Sequence, residues 1–501
     1  MRVRSRPLDV VIVASEAVPF AKTGGLADVA GALPPALERL GHRVALIVPC
    51  YNQVWKIGLP LRATGLTLRV PIGAKIIEGH VQAARLPGSA IEAYLIDQPA
   101  YYDRDGLYQR DGNDYPDNSE RFAFFCRAAL EAIRLLGLRP DVIHCNDWQT
   151  GLIPVYLDEF YRARPAFARV ATVLTIHNLA YQGTFGHWDL PLTGLDWRLF
   201  NWRQLEYHGR LNFLKAGLVF ADLLNTVSPT YAREIQTPAL GCGLDGLLRT
   251  RSSDLRGIVN GIDPKTWNPR TDPLILAQYD EETVAGGKAA CKLQLQRRAG
   301  LPERLDVPLL AQIGRLVPQK GWDLLAAVAD DLLRSDVQLV VLGTGHARYH
   351  ELLDRLAHQY PDKVRVFLEF SDLLAHKIEA GADVFLMPSL YEPCGLSQLY
   401  SLAYGTVPIV HATGGLADTV VDATPEALAD GTATGFGFRE PTPAALRGAI
   451  DRMLDLWPDR AAWERLAQAG MRADWSWDRS ARAYAELYRD AIRRRSARAA
   501  G

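Results

Sequence analysis

The chain has 501 residues, 48% of them hydrophobic and 23% charged, which is the balance of a packed soluble protein with more than one domain. Lys and Arg total 56 against 57 for Asp and Glu. Such neutrality gives no support to nucleic acid as a partner, because phosphate binding needs a basic excess. No apolar run approaches the length of a membrane span, so we expect no membrane partner.

The start of the chain superficially resembles a signal peptide, but Asp9 and Glu16 interrupt its apolar run. We interpret this segment as a first buried strand. The six cysteines are scattered without Cys-x-x-Cys spacing, which argues against a zinc site or a disulfide framework. We therefore expect a reducing compartment and a cytoplasmic location.

In the first half, short β-branched runs alternate with helix-patterned stretches. The predicted strands are 9–14, 42–48, 142–144, 170–176 and 223–226, with a helix over 26–40. This alternation is typical of a parallel sheet with helices on both faces. Residues 55–121, rich in Gly, Tyr and Asp, predict an irregular insertion at the rim.

The alternation restarts after a loop-like stretch at 257–273. The predicted strands are 309–313, 338–342, 364–368, 384–387 and 407–410, and the predicted helices are 322–333, 347–359, 373–380 and 395–404. We predict an α/β protein with two doubly wound, Rossmann-like parallel-sheet domains facing a central cleft. The domains are residues 1–255 and 256–478, and a C-terminal helix over 479–501 is expected to pack back on the first. Ligands of such sheets bind at the carboxyl ends of the strands.

The hexapeptide Thr-Gly-Gly-Leu-Ala-Asp occurs at 23–28 and again at 413–418, each time between a predicted strand and a helix. Paired glycines let a ligand approach the backbone, and a helix N-terminus attracts anions such as a diphosphate. Lys22 directly precedes the first copy and adds a charge. Two ordinary glycine-containing helix starts are the alternative interpretation.

Cations and a carboxylate follow predicted strands in the second half. Arg315 and Lys320 lie in the loop after strand 309–313, where they suit a departing phosphate, although surface charges on a turn are the alternative. Glu392 precedes Pro393, so it either caps the next helix or binds sugar hydroxyls. In the first half, His177 ends strand 170–176 and is either structural or part of the site.

Two further patterns are discounted. Asp103-Arg104-Asp105 matches a two-carboxylate metal motif, but it lies in the irregular region, and we predict no metal. Cys394 lies beside Glu392 without a neighbouring His in sequence to activate it, so packing is the preferred interpretation.

In order along the chain, these motifs resemble bacterial glycogen synthases and plant starch synthases, retaining glycosyltransferases of the GT-B architecture in family GT5. The similarity runs from about Val10 to Trp477. The matching pieces are Lys22-Thr-Gly-Gly-Leu-Ala-Asp-Val, His144-Cys-Asn-Asp-Trp, Thr175-Ile-His-Asn-Leu-Ala-Tyr-Gln-Gly, Val227-Ser-Pro-Thr-Tyr-Ala, Val259-Asn-Gly-Ile-Asp, Gly314-Arg-Leu-Val-Pro-Gln-Lys-Gly, Glu392-Pro-Cys-Gly-Leu and Thr413-Gly-Gly-Leu-Ala-Asp-Thr-Val.

The resemblance implies an ADP-glucose:1,4-α-D-glucan 4-α-D-glucosyltransferase that elongates glycogen or malto-oligosaccharide at the non-reducing end, without a metal or other cofactor. It makes 1–255 the acceptor-side starch synthase catalytic domain and 256–478 the domain that binds the nucleotide-sugar donor. The implied catalytic residues are Glu392, Lys320, Arg315, His177 and Asp147. The implied donor-binding residues are Lys22, Gly24, Gly25, Asp28, Tyr102, Asn260, Thr413, Gly414 and Gly415. Both glycine pairs are expected to bind one diphosphate, and domain closure is expected to exclude water.

The sequence departs from the family at three places. Thr237-Pro-Ala-Leu-Gly replaces Thr-Pro-Glu-Tyr-Gly, His411 stands where many members have Arg, and Tyr400 replaces a glutamate found in related retaining transferases. His411 removes a permanent charge and is expected to weaken donor binding or make it pH-dependent.

Three alternatives stay open. The chain could be another retaining GT-B enzyme that uses UDP-glucose or a different acceptor, because adenine rests on resemblance alone. It could be a nicotinamide dehydrogenase, although Gly-x-Gly-x-x-Gly is absent after the first strand. It could be a catalytically silent glucan-binding protein, against which the retained cations argue.

Overall fold

A computed structural model describes residues 6–500 and divides the chain into two compact units. Residues 1–5, where the signal-like segment begins, and residue 501, the end of the predicted C-terminal helix, lie outside the described residues. The first unit comprises the chain up to Val227, then Ala232–Asn260, and the chain from Trp477 onward. The second comprises Ser228–Tyr231 and Gly261–Ser476.

The unit boundary at Asn260 lies beyond the predicted boundary at residue 255. The reason is a short strand, Leu255–Gly257, that pairs in parallel with Leu223–Thr226 and so extends the first sheet. The return to the first unit occurs at Trp477, close to the predicted 478.

The main sheet of the first unit is parallel at its centre and antiparallel at one side. Its strands, in spatial order, are Leu255–Gly257, Leu223–Thr226, Ala171–Ile176, Val142–Asn146, Asp9–Val13, Arg43–Pro49, Glu92–Asp97, Lys75–Arg85 and Arg62–Ile72. The central strands read as continuous apolar runs because helices cover both faces, as in Ala171–Ile176, which is buried throughout.

The region 55–121 is more regular than its composition predicts. Arg62–Ile72 and Lys75–Arg85 form an antiparallel pair, and Lys75–Arg85 also pairs antiparallel with Glu92–Asp97, which joins the central sheet. The predicted irregular insertion is therefore wrong for residues 62–97. One face of this pair is exposed, so its strands alternate polar and apolar residues instead of showing an apolar run.

Helices and small sheets complete the first unit. Its helices are Gly25–Arg39, Asn52–Lys56, Pro99–Tyr102, Asn118–Leu135, Leu152–Tyr156, Leu190–Thr193, Phe213–Phe220, Asp245–Thr250 and Trp477–Ala500, with Pro229–Glu234 shared between the units. Short turns of other helix types are Trp148–Thr150, Leu157–Tyr161, His187–Asp189 and Trp197–Leu199. The small antiparallel sheets are Thr184–Gly186 with Arg210–Asn212 and Glu206–Tyr207, and Gln109–Arg110 with Asn113–Asp114.

The last helix, Trp477–Ala500, packs into the core of the first unit. Tyr484 and Tyr488 are fully buried there among residues of the central strands. The Tyr488 hydroxyl lies 2.9 Å from Nδ1 of His144, and the amide of Asn225 donates to the Tyr484 hydroxyl at 3.0 Å. Hydrogen bonds to strand residues therefore fix the helix on the sheet.

The second unit has one parallel sheet with helices on both sides, as the sequence predicts. Its strands, in spatial order, are Val364–Phe367, Gln338–Leu342, Leu309–Ile313, Val384–Met387, Val407–His411 and Phe436–Phe438. Its helices are Val284–Ala299, Trp322–Arg334, Ala347–Gln359, Asp372–Gly381, Ser397–Ala403, Gly414–Thr419, Pro425–Ala429, Pro443–Leu456 and Arg460–Arg472, with a 3-10 turn at Pro318–Lys320. The carboxyl ends of Leu309–Ile313, Val384–Met387 and Val407–His411 meet at one edge of this sheet.

Among residues 6–500, no helix combines the length and the apolar character needed to span a membrane.

Candidate active site

The loop after the first strand is organised by a buried carboxylate that the sequence analysis missed. Glu16 is 4% exposed and accepts hydrogen bonds from the backbone amides of Thr23 and Gly24. It also accepts from the hydroxyls of Thr23, at 2.9 Å, and of Tyr108, at 3.1 Å. Burial raises the pKa of Glu16, and these hydrogen bonds oppose the rise. The Gly24 amide, predicted to face a diphosphate, therefore donates to an internal carboxylate.

The first glycine pair nevertheless leaves open space above the loop. A Cβ placed on Gly24 or Gly25 would meet no atom within 4 Å, so a ligand can approach the backbone there. Lys22 is exposed and its ammonium pairs with Asp28 at 2.8 Å. Gly25 begins the helix Gly25–Arg39, which places a partial positive charge beside this open space.

Two neighbouring strands of the first unit bring Asn146, Asp147 and His177 together at their carboxyl ends. The Asn146 amide nitrogen donates to the carbonyl of Val13 at 3.1 Å, so its Oδ1 faces Nε2 of His177 at 2.9 Å. An amide oxygen only accepts, so Nε2 of His177 carries the proton and Nδ1 is the acceptor nitrogen. Asp147 Oδ1 accepts the His177 backbone N–H at 2.8 Å.

Burial sets the ionisation of these side chains. It lowers the pKa of His177 to about 3, so the ring is neutral near pH 7. It raises the pKa of Asp147 to about 7, against the opposing effect of amide hydrogen bonds from His177 and Asn178. Asp147 also has φ 55°, which a non-glycine residue rarely adopts and which is frequent at functional sites.

Tyr102 does not line an open site in this structure. It is 0% exposed, its ring packs edge-on against Tyr51 at 5.6 Å, and its hydroxyl donates to the Arg121 carbonyl at 3.3 Å. Tyr102 is thus engaged inside the first unit, and its predicted approach to donor glucose stays a prediction. The adjacent pair Asp103–Asp105 brackets Arg104, which forms an ion pair with Asp117 at 2.6 Å.

In the second unit, Lys320 and Glu392 form an ion pair. The ammonium lies 2.5 Å from Glu392 Oε2, and the Ser389 hydroxyl donates to the same oxygen at 3.1 Å. Glu392 is 7% exposed, so its charge is compensated inside the protein. Arg315 lies in the same loop as Lys320 and is exposed.

The loops that carry Lys320 and Glu392 are hydrogen-bonded to each other. Gln319 donates from its side chain to the Tyr391 carbonyl at 3.1 Å and accepts the Leu390 N–H on its carbonyl at 2.8 Å. Gly321 has φ 75°, and a Cβ there would lie 2.0 Å from the Pro388 carbonyl oxygen. Only glycine fits this turn, which is how the Lys320 loop approaches the Glu392 loop so closely.

Glu392 is not a helix cap. The next helix begins at Ser397, with Leu396 at its N-cap position, and Glu392 lies in the preceding loop. Pro393 therefore does not occupy a first helical turn, and the capping alternative is wrong. The carboxylate is held by Lys320 and Ser389 instead.

The second glycine pair serves packing. A Cβ on Gly414 or Gly415 would lie 2.0 Å from the carbonyl oxygen of Glu392 or Cys394 respectively. The Gly415 amide donates to the carbonyls of Glu392 and Pro393, at 3.1 Å each. The two copies of the hexapeptide therefore differ: the first faces open space, and the second supports the Glu392 loop.

Thr413 and Asn260, two further predicted positions, are buried. Thr413 is 4% exposed and precedes the second glycine pair. Asn260, the last residue of the first unit before its chain crosses to the second, is 4% exposed, and its Oδ1 has no hydrogen-bond partner among the described residues. Asp418 accepts from the amide and hydroxyl of Thr230, at 2.8 and 2.7 Å, whereas Asp28 of the first copy pairs with Lys22.

Each unit thus gathers its own group of predicted residues. The first unit holds Lys22, Gly24, Gly25, Asp28, Asp147 and His177, and the second holds Arg315, Lys320, Glu392, Thr413, Gly414 and Gly415. Sequence reasoning missed Glu16, Asn146 and Ser389, which fix these groups. Asn146 and Ser389 lie within three residues of predicted site residues, the first at the end of a buried strand and the second two residues beyond one, and that position was a usable signal.

Known protein families match both units of the chain. A family model described as the starch synthase catalytic domain matches residues 9–250, and one described as glycosyl transferases group 1 matches residues 295–469. A glycogen synthase of Syntrophotalea carbinolica is 48% identical, covering 97% of this chain and 99% of its own. One of Anaeromyxobacter dehalogenans is 50% identical, covering 96% of this chain and 99% of its own.

The chain belongs to the glycogen synthase family of glycosyltransferases.

A solved structure confirms the fold of this glycogen synthase family member as GT-B. The catalytic domain of starch synthase IV from Arabidopsis thaliana, bound to ADP and acarbose, matches with a TM-score of 0.90 and 33% identity. The match covers 97% of this chain and 100% of that chain. The resemblance inferred from the ordered motifs is therefore confirmed.

The departures from the family motifs have distinct structural settings. Tyr400 stacks on Trp267 at 3.8 Å, and Trp267 stacks on His376 at 4.0 Å, so Tyr400 belongs to an aromatic stack within the second unit. Ala239 is exposed in a turn of the first unit. His411 is buried beside the Glu392 loop.

Proposed function

We propose that this member of the glycogen synthase family transfers glucose from ADP-glucose to the non-reducing end of an α-1,4-glucan, with retention at the anomeric carbon. The observation that supports it most is the Lys320–Glu392 pair at the strand ends of the second unit, with Arg315 in the same loop. Glycogen and malto-oligosaccharides are the proposed acceptors.

Lys320 and Arg315 act on the leaving group. As the bond from the anomeric carbon to the phosphate oxygen breaks, negative charge develops on the diphosphate, and fixed cations stabilise it most in the transition state. Arg315 offers planar donors that suit phosphate oxygens. Lys22, on the exposed loop of the first unit, is proposed to bind the donor as well.

Glu392 holds the transferred sugar. The hydrogen bonds from Lys320 and Ser389 both end on Oε2, so we assign Oε1 to a glucose hydroxyl. Neutral His177, with its acceptor nitrogen Nδ1, is assigned to a hydroxyl on the acceptor side. Asp147 positions His177 through the hydrogen bond to its backbone amide.

The mechanism we propose is front-side attack. The 4-hydroxyl of the terminal glucose bonds to the anomeric carbon on the face that the phosphate leaves, its proton passes to the departing phosphate oxygen, and ADP is released. The buried carboxylates of the first unit argue against a covalent intermediate, because Glu16 is engaged by Thr23 and Asp147 by His177. The side-chain cations supply the positive charge, so we propose that no metal is required and that EDTA leaves the rate unchanged.

The cytoplasm is the proposed location. All six cysteines are free thiols, five of them buried, as suits a reducing compartment.

The direct test is transfer of labelled glucose from ADP-glucose to glycogen, followed by digestion of the product with β-amylase. Release of label as maltose would support α-1,4 addition at the non-reducing end. Lys320→Gln should lose most incorporation, whereas Lys265→Gln, a change on an exposed turn of the second unit, should retain it. Label found only as free glucose, or resistant to β-amylase, would contradict the proposal.

A further inference from the structure

His411 ends the strand Val407–His411 and is held between two backbone carbonyls. Its Nδ1 lies 2.7 Å from the carbonyl oxygen of Ser389, and its Nε2 lies 3.0 Å from the carbonyl oxygen of Arg439. The side chain is buried, at 6% exposure, and its ring packs against Phe438 at 5.5 Å.

This geometry favours a ring that carries a proton on both nitrogens. A carbonyl oxygen can only accept a hydrogen bond, and a neutral imidazole has only one N–H. Both contacts are hydrogen bonds only when both nitrogens carry protons. A neutral ring would turn a lone pair toward one of the carbonyls and lose that hydrogen bond.

The carbonyl of Ser389 connects His411 to the sugar-binding loop. The Ser389 hydroxyl donates to Glu392 Oε2 at 3.1 Å, and Lys320 binds the same oxygen. His411 therefore joins the segment 389–392 to the residue that follows the edge strand Phe436–Phe438. It touches no reacting atom in this arrangement, so its role is one of positioning.

We propose that His411 is a positively charged positioning residue, which in its imidazolium form fixes Ser389 and Glu392 for donor binding and so makes donor affinity fall as pH rises. This inference rests on the proposed function, because it assigns donor binding to the Glu392 loop.

Other titratable groups near the His411 ring could contribute to the same pH dependence. The charged or titratable side chains on the elements around the ring are Tyr391, Glu392 and Cys394 in the Ser389 loop, Lys320 paired with Glu392, Arg439 and Glu440 after the edge strand, and Asp418 in the helix Gly414–Thr419. Arg439 and Glu440 are exposed. Glu392 is compensated by Lys320, and Asp418 accepts from Thr230.

The first experiment measures the protonation of the His411 ring nitrogens directly. Protein with ¹⁵N-labelled histidine rings is titrated from about pH 6 to about pH 9, and the His411 signal is identified by its loss in His411→Arg. We expect both ring nitrogens to be protonated at the acid end of this range. A neutral tautomer throughout would overturn the proposal without bearing on glucosyl transfer.

The second experiment separates KM from kcat. Between about pH 6.5 and about pH 8.5, we expect the KM for ADP-glucose to rise about tenfold in the wild type, with a smaller change in kcat. His411→Arg keeps a charged donor to both carbonyls and should remove this dependence. His411→Gln should have the raised KM at every pH. His358→Gln, on an exposed helix of the second unit, is the control and should titrate like the wild type.

The two experiments distinguish the possible failures. Equal pH dependence of KM in the wild type and His411→Arg would overturn the positioning role, and so would a wild-type KM that does not change with pH. Absence of any transfer would instead contradict the proposed function, and the ring signals would still report whether His411 is charged.

Discussion

Substituting Lys320 or Glu392 tests how much the charges of this pair contribute to catalysis. Lys320→Gln removes the cation proposed to face the leaving phosphate and leaves Glu392, at 7% exposure, without its partner. We expect kcat to fall by about 10²–10³-fold, comparable to removing one donor that stabilises a developing anion. Steady-state kinetics with ADP-glucose and glycogen measure it.

A double-mutant cycle tests whether the pair acts as a unit. Lys320→Gln combined with Glu392→Gln should lose less activity than the sum of the two single losses, because contacting residues are not additive. Lys265→Gln is the matched surface control. Strict additivity would mean that the 2.5 Å contact has no functional role.

Asn146 determines the tautomer of His177, and this gives a prediction on the pH profile. The pKa of His177 is about 3, so ionisation of His177 should give the wild type no acid limb in kcat/KM above about pH 5. Asn146→Asp places a carboxylate 2.9 Å from Nε2 and raises the pKa of the ring. The variant should therefore lose activity on the acid side.

Asn146→Ala is the control, because it removes the acceptor without adding charge. It should lower kcat at all pH values and add no acid limb. An acid limb near pH 6 in the wild type would contradict the neutral His177.

At the scale of elements, the sequence predicts the parallel strands because their burial on both faces leaves an unmistakable apolar run. Gln338–Leu342 is buried at every position and is predicted to the residue. The antiparallel strand Arg62–Ile72 is missed, because an exposed face, with Gly65 and Pro71 within it, hides the apolar alternation.

The part of the candidate site that follows buried strands is predicted from the sequence. The part that depends on contacts between distant residues is missed. Lys320 and Glu392 follow buried strands, whose carboxyl ends converge in a parallel sheet. The bond from Tyr108 to Glu16 joins residues far apart in sequence, and no local pattern indicates it. The burial of Tyr102 likewise depends on Tyr51 and Arg121, which lie on other elements.

The burial of Tyr102, in the short helix Pro99–Tyr102, can be tested directly against its predicted approach to donor glucose. Tyr102→Phe keeps the buried ring and removes only the 3.3 Å hydrogen bond, so the KM for ADP-glucose should stay within about twofold of the wild type. Tyr102→Ala should lower stability by about 3–5 kcal/mol through the cavity it leaves. A large rise in KM for Tyr102→Phe, with an unchanged melting temperature, would instead support direct contact between the Tyr102 hydroxyl and the donor.

At the scale of the whole molecule, buried titratable groups make stability depend on pH in opposite directions. The pKa of Asp147 is about 7 when folded, against an ordinary value of 3.8, so the native state binds the extra proton between these values. Stability from this group is therefore lost as pH rises from about 4 to about 7, by up to about 1.4 kcal/mol per pH unit. Asp147→Asn should become progressively more stable relative to the wild type across that window.

The buried histidines His144 and His177 make stability depend on pH in the opposite direction. Burial lowers the pKa of His144 and of His177 to about 3, from an ordinary value of 6.5, so the unfolded state binds more protons between these values. Their contribution is lost as pH falls from about 6.5 to about 3. Thermal unfolding of the wild type and Asp147→Asn at several pH values checks both signs. A constant difference between the two proteins would contradict the buried, protonated Asp147.

We conclude that the chain is an ADP-glucose-dependent glucan synthase, and the donor preference tests this conclusion most directly. Purified protein is given ADP-glucose or UDP-glucose separately, with glycogen as primer, and kcat/KM is measured for each donor. We predict a preference for ADP-glucose of at least about tenfold, or about 1.4 kcal/mol in transition-state stabilisation. Equal use of both donors would contradict the adenine assignment, and transfer from neither would contradict the account as a whole.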